Sequence, residues 1–166
     1  ATSDGFIVLG ATTDDNYDTD IFMTKFSESG RVIWEKQYGG DGYDNATDII
    51  AASDGTFIIV GYTSSFGAGN MDIYLLKIDS SGDTLWTKTF GGINSDRGLS
   101  VKQTTDDGFI VVGDTKSYGA GFGDVWLIKT DTFGDTLWTK TFGDSYHYDI
   151  GYSVQQTSDG GYILTG

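Results

Sequence analysis

The stretch Asp83-Thr84-Leu85-Trp86-Thr87-Lys88-Thr89-Phe90-Gly91 returns letter for letter as Asp135-Thr136-Leu137-Trp138-Thr139-Lys140-Thr141-Phe142-Gly143. A looser copy, Arg31-Val32-Ile33-Trp34-Glu35-Lys36-Gln37-Tyr38-Gly39, lies one period earlier, so Trp34, Trp86 and Trp138 are spaced by 52 and 52 residues. A period of that length built of strand-like segments points to a propeller or another array of stacked sheets.

Composition agrees with an all-β chain. Only Glu28 and Glu35 of the 24 acids are glutamate, and aspartate favours turns over helices. The chain has 25 glycines and 14% aromatic residues, and no window carries a sustained helical period of apolar positions. A formal charge of -14 repels phosphate backbones and argues against nucleic acid or an anionic membrane as partner. Cysteine is absent, which removes disulfides, thiolate chemistry and zinc-thiolate sites. No apolar run approaches the roughly 20 residues that span a bilayer as a helix. The opening Ala1-Thr2-Ser3-Asp4 has neither an initiating Met nor a signal peptide and reads as a processed chain or a piece of a longer one.

Aspartate-glycine turns mark the units. Asp4-Gly5, Asp54-Gly55, Asp107-Gly108 and Asp159-Gly160 each precede an apolar run: Phe6–Leu9, Phe57–Val60, Phe109–Val112 and Tyr162–Leu164. These runs are apolar at successive positions, as expected of strands covered on both faces. A variable loop leads to Asp20–Lys25, Asp72–Lys77 and Asp124–Lys129, and a short turn at Gly30, Gly82 and Gly134 leads to the tryptophan segment. A second variable loop leads to Thr47–Ala52, Leu99–Thr104 and Tyr152–Thr157, which run into the next turn. Four antiparallel strands per 52 residues or so make a propeller blade. The expectation is one partial propeller domain with repeats at about 1–46, 47–98 and 99–151 and a fourth begun by 152–166. Closure needs roughly 4–8 blades, so self-association to complete the ring is expected.

Gln-Thr-x-Asp-Gly-Gly, then Tyr-Ile-Leu-Thr-Gly, the Gly-rich segment before Asp124-Val125-Trp126-Leu127-Ile128-Lys129, and Gly134-Asp135-Thr136-Leu137-Trp138 resemble the SBBP-type β-propeller repeats of bacterial and archaeal surface proteins. The resemblance covers the whole chain. It implies an extracellular or cell-surface location and a binding or surface-structural role, with no shared catalytic residues to carry over. More loosely, Asp79–Trp86 is similar to the Trp-docking repeats of quinoprotein propellers, in which the Trp packs between blades.

Repetition also separates scaffold from site, since a residue present in every unit holds the unit together. By that test Trp34, Trp86 and Trp138, Lys25, Lys77 and Lys129, Lys36, Lys88 and Lys140, and Asp20, Asp72, Asp124, Asp44, Asp96 and Asp149 are structural. The aspartates are expected to accept backbone N–H bonds and the lysines to pair with them or to extend along apolar surface. Strand parity puts the variable loops on one end: Thr12–Thr19, Ser64–Met71 and Lys116–Gly123, with Gly40–Tyr43, Gly92–Ser95 and Asp144–Tyr148.

Two features on that end break the repeat. Asp14, Asn16, Asp18 and Asp20 place oxygens at alternate positions, as calcium loops do, although position six of an EF-hand reading is Thr19 and position twelve is Lys25. A solvated acidic loop is the other reading. The longer third loop carries Tyr146, His147 and Tyr148, and with Tyr17, Tyr43 and Tyr118 these suit a glycan- or protein-binding surface or, equally, packing over loop bases. Asn45-Ala46-Thr47 is a glycosylation sequon. Neither a Gly-x-Ser-x-Gly elbow nor a phosphate loop occurs, and His147 is the lone histidine. The expected function is non-enzymatic binding or surface assembly; the alternative is a carbohydrate-binding or glycoside-cleaving propeller using the loop end.

Overall fold

A computed structural model describes residues 5–166; Asp4, half of the first turn marker, lies outside them. The described residues form thirteen strands and no helix. They make four antiparallel sheets in sequence order. The first joins β1 (Gly5–Thr13), β2 (Thr19–Ser27) and β3 (Val32–Tyr38). The second joins β4 (Asp44–Ala51), β5 (Phe57–Thr63), β6 (Asp72–Ile78) and β7 (Thr84–Phe90). The third joins β8 (Asp96–Gln103), β9 (Phe109–Thr115), β10 (Asp124–Thr130) and β11 (Thr136–Phe142), and the last pairs β12 (Ser153–Gln156) with β13 (Tyr162–Thr165). Every strand pairs with its neighbour in sequence, so each sheet is an up-and-down meander.

The sheets lie face to face over three apolar layers. Ile21, Met23 and Tyr38 of the first sheet meet Phe57, Ile59, Tyr74, Leu76 and Ile78 of the second. The opposite face of the second, Ile58, Val60, Ile73 and Leu75, meets Val101, Phe109, Val111, Trp126 and Ile128 of the third. Ile110, Val112, Val125 and Leu127 then meet Val154, Tyr162 and Leu164. Alternate side chains leave a strand on opposite faces, so β5, β6, β9 and β10 must be apolar at nearly every position, which explains their uninterrupted runs. The tryptophan strands β7 and β11 are sheet edges and largely exposed, with Trp86 and Trp138 half-buried.

Polar contacts cross the layers with the same period. Lys36 pairs with Asp83 at 2.9 Å and Lys88 with Asp135 at 2.6 Å, 52 residues on. The Trp34 indole N–H donates to Ser80 O, and the Tyr38 hydroxyl donates to Gly82 O at 2.8 Å. Thr47 Oγ1 donates to Gly98 O at 2.7 Å, while Asp48 accepts from Ser100 Oγ, Val101 N and Lys102 Nζ.

Two details differ from the sequence reading. The strands expected from Thr47 and Leu99 begin three residues earlier, at Asp44 and Asp96. Their polar starts are hidden from a hydrophobicity pattern by register shifts at Ala46/Asp48 and Gly98/Ser100. The third turn marker is also displaced. Lys77 pairs with Asp54, but Lys129 pairs with Asp106, not Asp107, and Asp107 takes the left-handed conformation (φ 61) that Gly55 supplies elsewhere. The lysines of these strands therefore pair with turn aspartates at the end opposite the variable loops.

Candidate functional site

At the loop end each junction between sheets brings two recurring aspartates over a glycine: Asp20 and Asp44 at Gly39, Asp72 and Asp96 at Gly91, Asp124 and Asp149 at Gly143. A Cβ at any of these glycines would collide with the carboxylates, which explains the glycine in every copy. Most of the carboxylates serve the loops. Asp72 accepts from Ala68 N at 2.7 Å and Asp124 from Ala120 N at 2.8 Å. Asp96, fully buried, accepts from Gly92 N, Lys116 N, Ser117 N, Ser117 Oγ and the Thr115 hydroxyl. Asp44, also fully buried, accepts from Gly40 N and Ser65 Oγ.

The first junction departs from this pattern: the loop beside Asp20 is shorter and has no glycine-rich segment to offer it N–H donors. Asp18, Asp20 and Asp44 each keep a buried Oδ1 without a hydrogen-bond partner. Burial, and then the charges of Asp18, Asp44 and Asp14, raise the Asp20 pKa above the ordinary carboxylate value. Asp14 is spent locally: it accepts from Asn16 N, Asn16 Nδ2 and Asp18 N, and these bonds hold its own pKa down. Asp14 is thereby tied to Asn16 and Asp18 within the loop, while the buried oxygens of Asp18, Asp20 and Asp44 stay without partners. No group of three or more His, Cys, Asp or Glu side chains among the described residues is arranged to hold a metal ion.

These junctions give a pH prediction. Asp20, and Asp72 through burial and then Asp96, hold protons more tightly folded than unfolded. Their cost to stability is relieved as pH falls toward their folded values, above 3.8. Asp106, held down to about 2 by the Thr104 hydroxyl and Lys129, stabilises above 3.8 and loses that contribution as pH falls toward 2. Asp54 behaves alike: burial pushes it up, but Lys77 and Thr56 outweigh that and hold it at about 2. Melting temperature, followed by circular dichroism, is expected to rise as pH falls from 7 toward the folded values of Asp20 and Asp72, and to fall again as pH drops toward 2. A continuous decline from pH 7 would contradict the uncapped first junction.

The aromatic candidates divide. Tyr17 is 88% exposed and Tyr146 82% exposed. Tyr17, in left-handed backbone (φ 65), borders a recess of about 410 Å³ with Asp14, Asn16, Asp18 and Asp41. Tyr43 stacks on Tyr62, with ring centroids 6.0 Å apart. Tyr118 packs on Trp126 and donates to Gly91 O, as Phe66 packs on Tyr74, so these two rings hold loop bases. His147 pairs with Asp144 at 2.9 Å, and that carboxylate raises its pKa, by hydrogen bond first and charge second. Tyr17 and Tyr43 lie at the first junction, Tyr118 at the second, and Tyr146, His147 and Tyr148 at the third. The sequon residue Asn45 donates to the Tyr62 hydroxyl.

Tyr148 belongs to a group absent from the sequence reading. Asp114, fully buried, accepts from Arg97 Nε at 3.1 Å and from the Tyr148 hydroxyl at 2.5 Å, and Arg97 Nη2 also reaches the Tyr148 oxygen at 3.2 Å. The available signal was repeat-breaking charge: Arg97 and Asp114 stand where the second sheet has Asn45 and Tyr62. No protein-family model matches the chain, and no curated protein matches it.

Proposed function

We propose that this chain is an exported array of β-propeller blades of the SBBP type that works without catalysis, by binding through its loop end. The single observation carrying the reading is the contrast on that end. Asp72, Asp96 and Asp124 are committed to holding the loops, while Tyr17 and Tyr146 stand 88% and 82% exposed on loops that break the repeat. Exposed rings on a rigid, hydrogen-bonded base present flat apolar surface to a partner at low entropic cost. Such rings stack on sugar faces, which favours a glycan over other partners. The antiparallel meanders and their face-to-face layers support the blade assignment.

The same reading has a second copy completing the stack on the uncovered outer face of the first sheet, where Phe6 and Val8 are 41% and 49% exposed. A glycan array probed with the intact chain, beside a panel of chromogenic glycosides, tests the function. Binding to a subset of glycans with no turnover is the expected result. Turnover of any glycoside would replace the binding role by the glycosidase alternative, and a blank array would remove the glycan as partner.

A further inference from the structure

Lys36, Lys77, Lys88, Lys102 and Lys129 each hold an aspartate, whereas Lys116, like Lys140, has no carboxylate partner among the described residues. Its ammonium lies 5.4 Å from the centre of the Tyr148 ring. On the same ring's hydroxyl sits Arg97, whose side chain is 35% exposed. Arg97 and Tyr148 are both oriented by Asp114, a buried carboxylate that accepts from each and is thereby neutralised. The corresponding positions one unit earlier, Asn45, Ser64 and Ser95, carry no charge. A chain with a net charge of -14 thus gathers two cations around one half-exposed ring at a single junction. Beside that ring opens a recess of about 470 Å³ bordered by Val125, Tyr148, Asp149, Ile150, Tyr152 and Leu164, within the size range of small-ligand sites; Arg97 and Lys116 stand outside it.

We infer that Arg97, Lys116 and Tyr148 form a subsite for an acidic sugar, a hexuronate residue of a polysaccharide. Its carboxylate lies between the guanidinium and the ammonium, and its ring lies on the tyrosine and the apolar wall. Asp114 and Tyr148 take Arg97 Nε and Nη2, so Nη1 and the Lys116 ammonium are the groups left to meet a carboxylate. Repulsion from the rest of the acidic surface is screened beyond about 8 Å at physiological salt. The inference rests on the glycan-binding reading above and specifies its ligand.

Isothermal titration of the full chain with oligogalacturonate tests it, with the carboxyl-reduced oligosaccharide and an oligoglutamate peptide as comparisons. Binding is expected for oligogalacturonate and should weaken at least about tenfold on carboxyl reduction or in Lys116→Glu, a surface substitution that leaves the melting temperature unchanged. Equal affinity for the reduced sugar, an unaffected Lys116→Glu variant, or equally tight oligoglutamate binding would each overturn the subsite. Neutral glycans bound on the array without uronate binding would sink the subsite and spare the wider function. A blank array would sink both.

Discussion

Asp96→Ala is expected to destabilise the chain by about 3–5 kcal/mol, a drop in melting temperature of roughly 10 °C or more. The carboxylate is fully buried where the second and third sheets meet, and five donors end on it: Gly92 N, Lys116 N, Ser117 N, Ser117 Oγ and the Thr115 hydroxyl. Alanine leaves them facing a void, and each buried donor without an acceptor costs about 1–3 kcal/mol before relaxation. Asp20→Asn at the first junction should behave oppositely. Asp20 has a buried oxygen without a donor and is opposed by Asp18, Asp44 and Asp14, so removing its charge is expected to be neutral or stabilising by up to about 1 kcal/mol. Urea unfolding of the two variants and the parent decides the matter. Equal losses would mean that the two junctions are built alike after all.

The contrast shows what the sequence could and could not convey. Repetition is legible because every sheet must solve the same packing problem: Phe57, Phe109 and Tyr162 recur since each fills the same layer against the preceding sheet. The apolar runs and the loop parity follow from that. The early starts of β4 and β8 do not, because Asp44, Asn45, Asp96 and Arg97 enter their strands for hydrogen bonding across a register shift, and hydrophobicity carries no trace of it. At the loop end, the spacing of Asp14, Asn16, Asp18 and Asp20 suggested converging oxygens. In the fold the alternation also lets Asp14 turn back onto Asn16 and Asp18, a hydrogen-bonded turn that spacing alone does not reveal. The Arg97–Asp114–Tyr148 group was missed because Arg97 and Asp114 meet through the register of β8 on β9, and Tyr148 reaches them from the loop after β11.

Phe57→Ala and Phe6→Ala form a matched pair, because the two phenylalanines occupy the same place in successive units. Phe57 is 6% exposed and packs into the first apolar layer; its truncation should cost about 3–5 kcal/mol. Phe6 lies on the opposite side of the first sheet, 41% exposed and stacked on Phe26 with ring centroids 5.1 Å apart. In a monomer its truncation should cost no more than about 1 kcal/mol, since less apolar area leaves water there and no cavity remains. If a second copy covers that face, as proposed, the Phe6→Ala loss approaches that of Phe57→Ala and grows with protein concentration, because the association equilibrium then contributes to the measured stability. Light scattering on the same samples gives the mass directly. A species heavier than 17.9 kDa for the parent that reverts to monomer in Phe6→Ala would assign the contact to this face. A monomeric parent with an inexpensive Phe6→Ala would show that an open sheet face survives in water, held flat by the layer behind it.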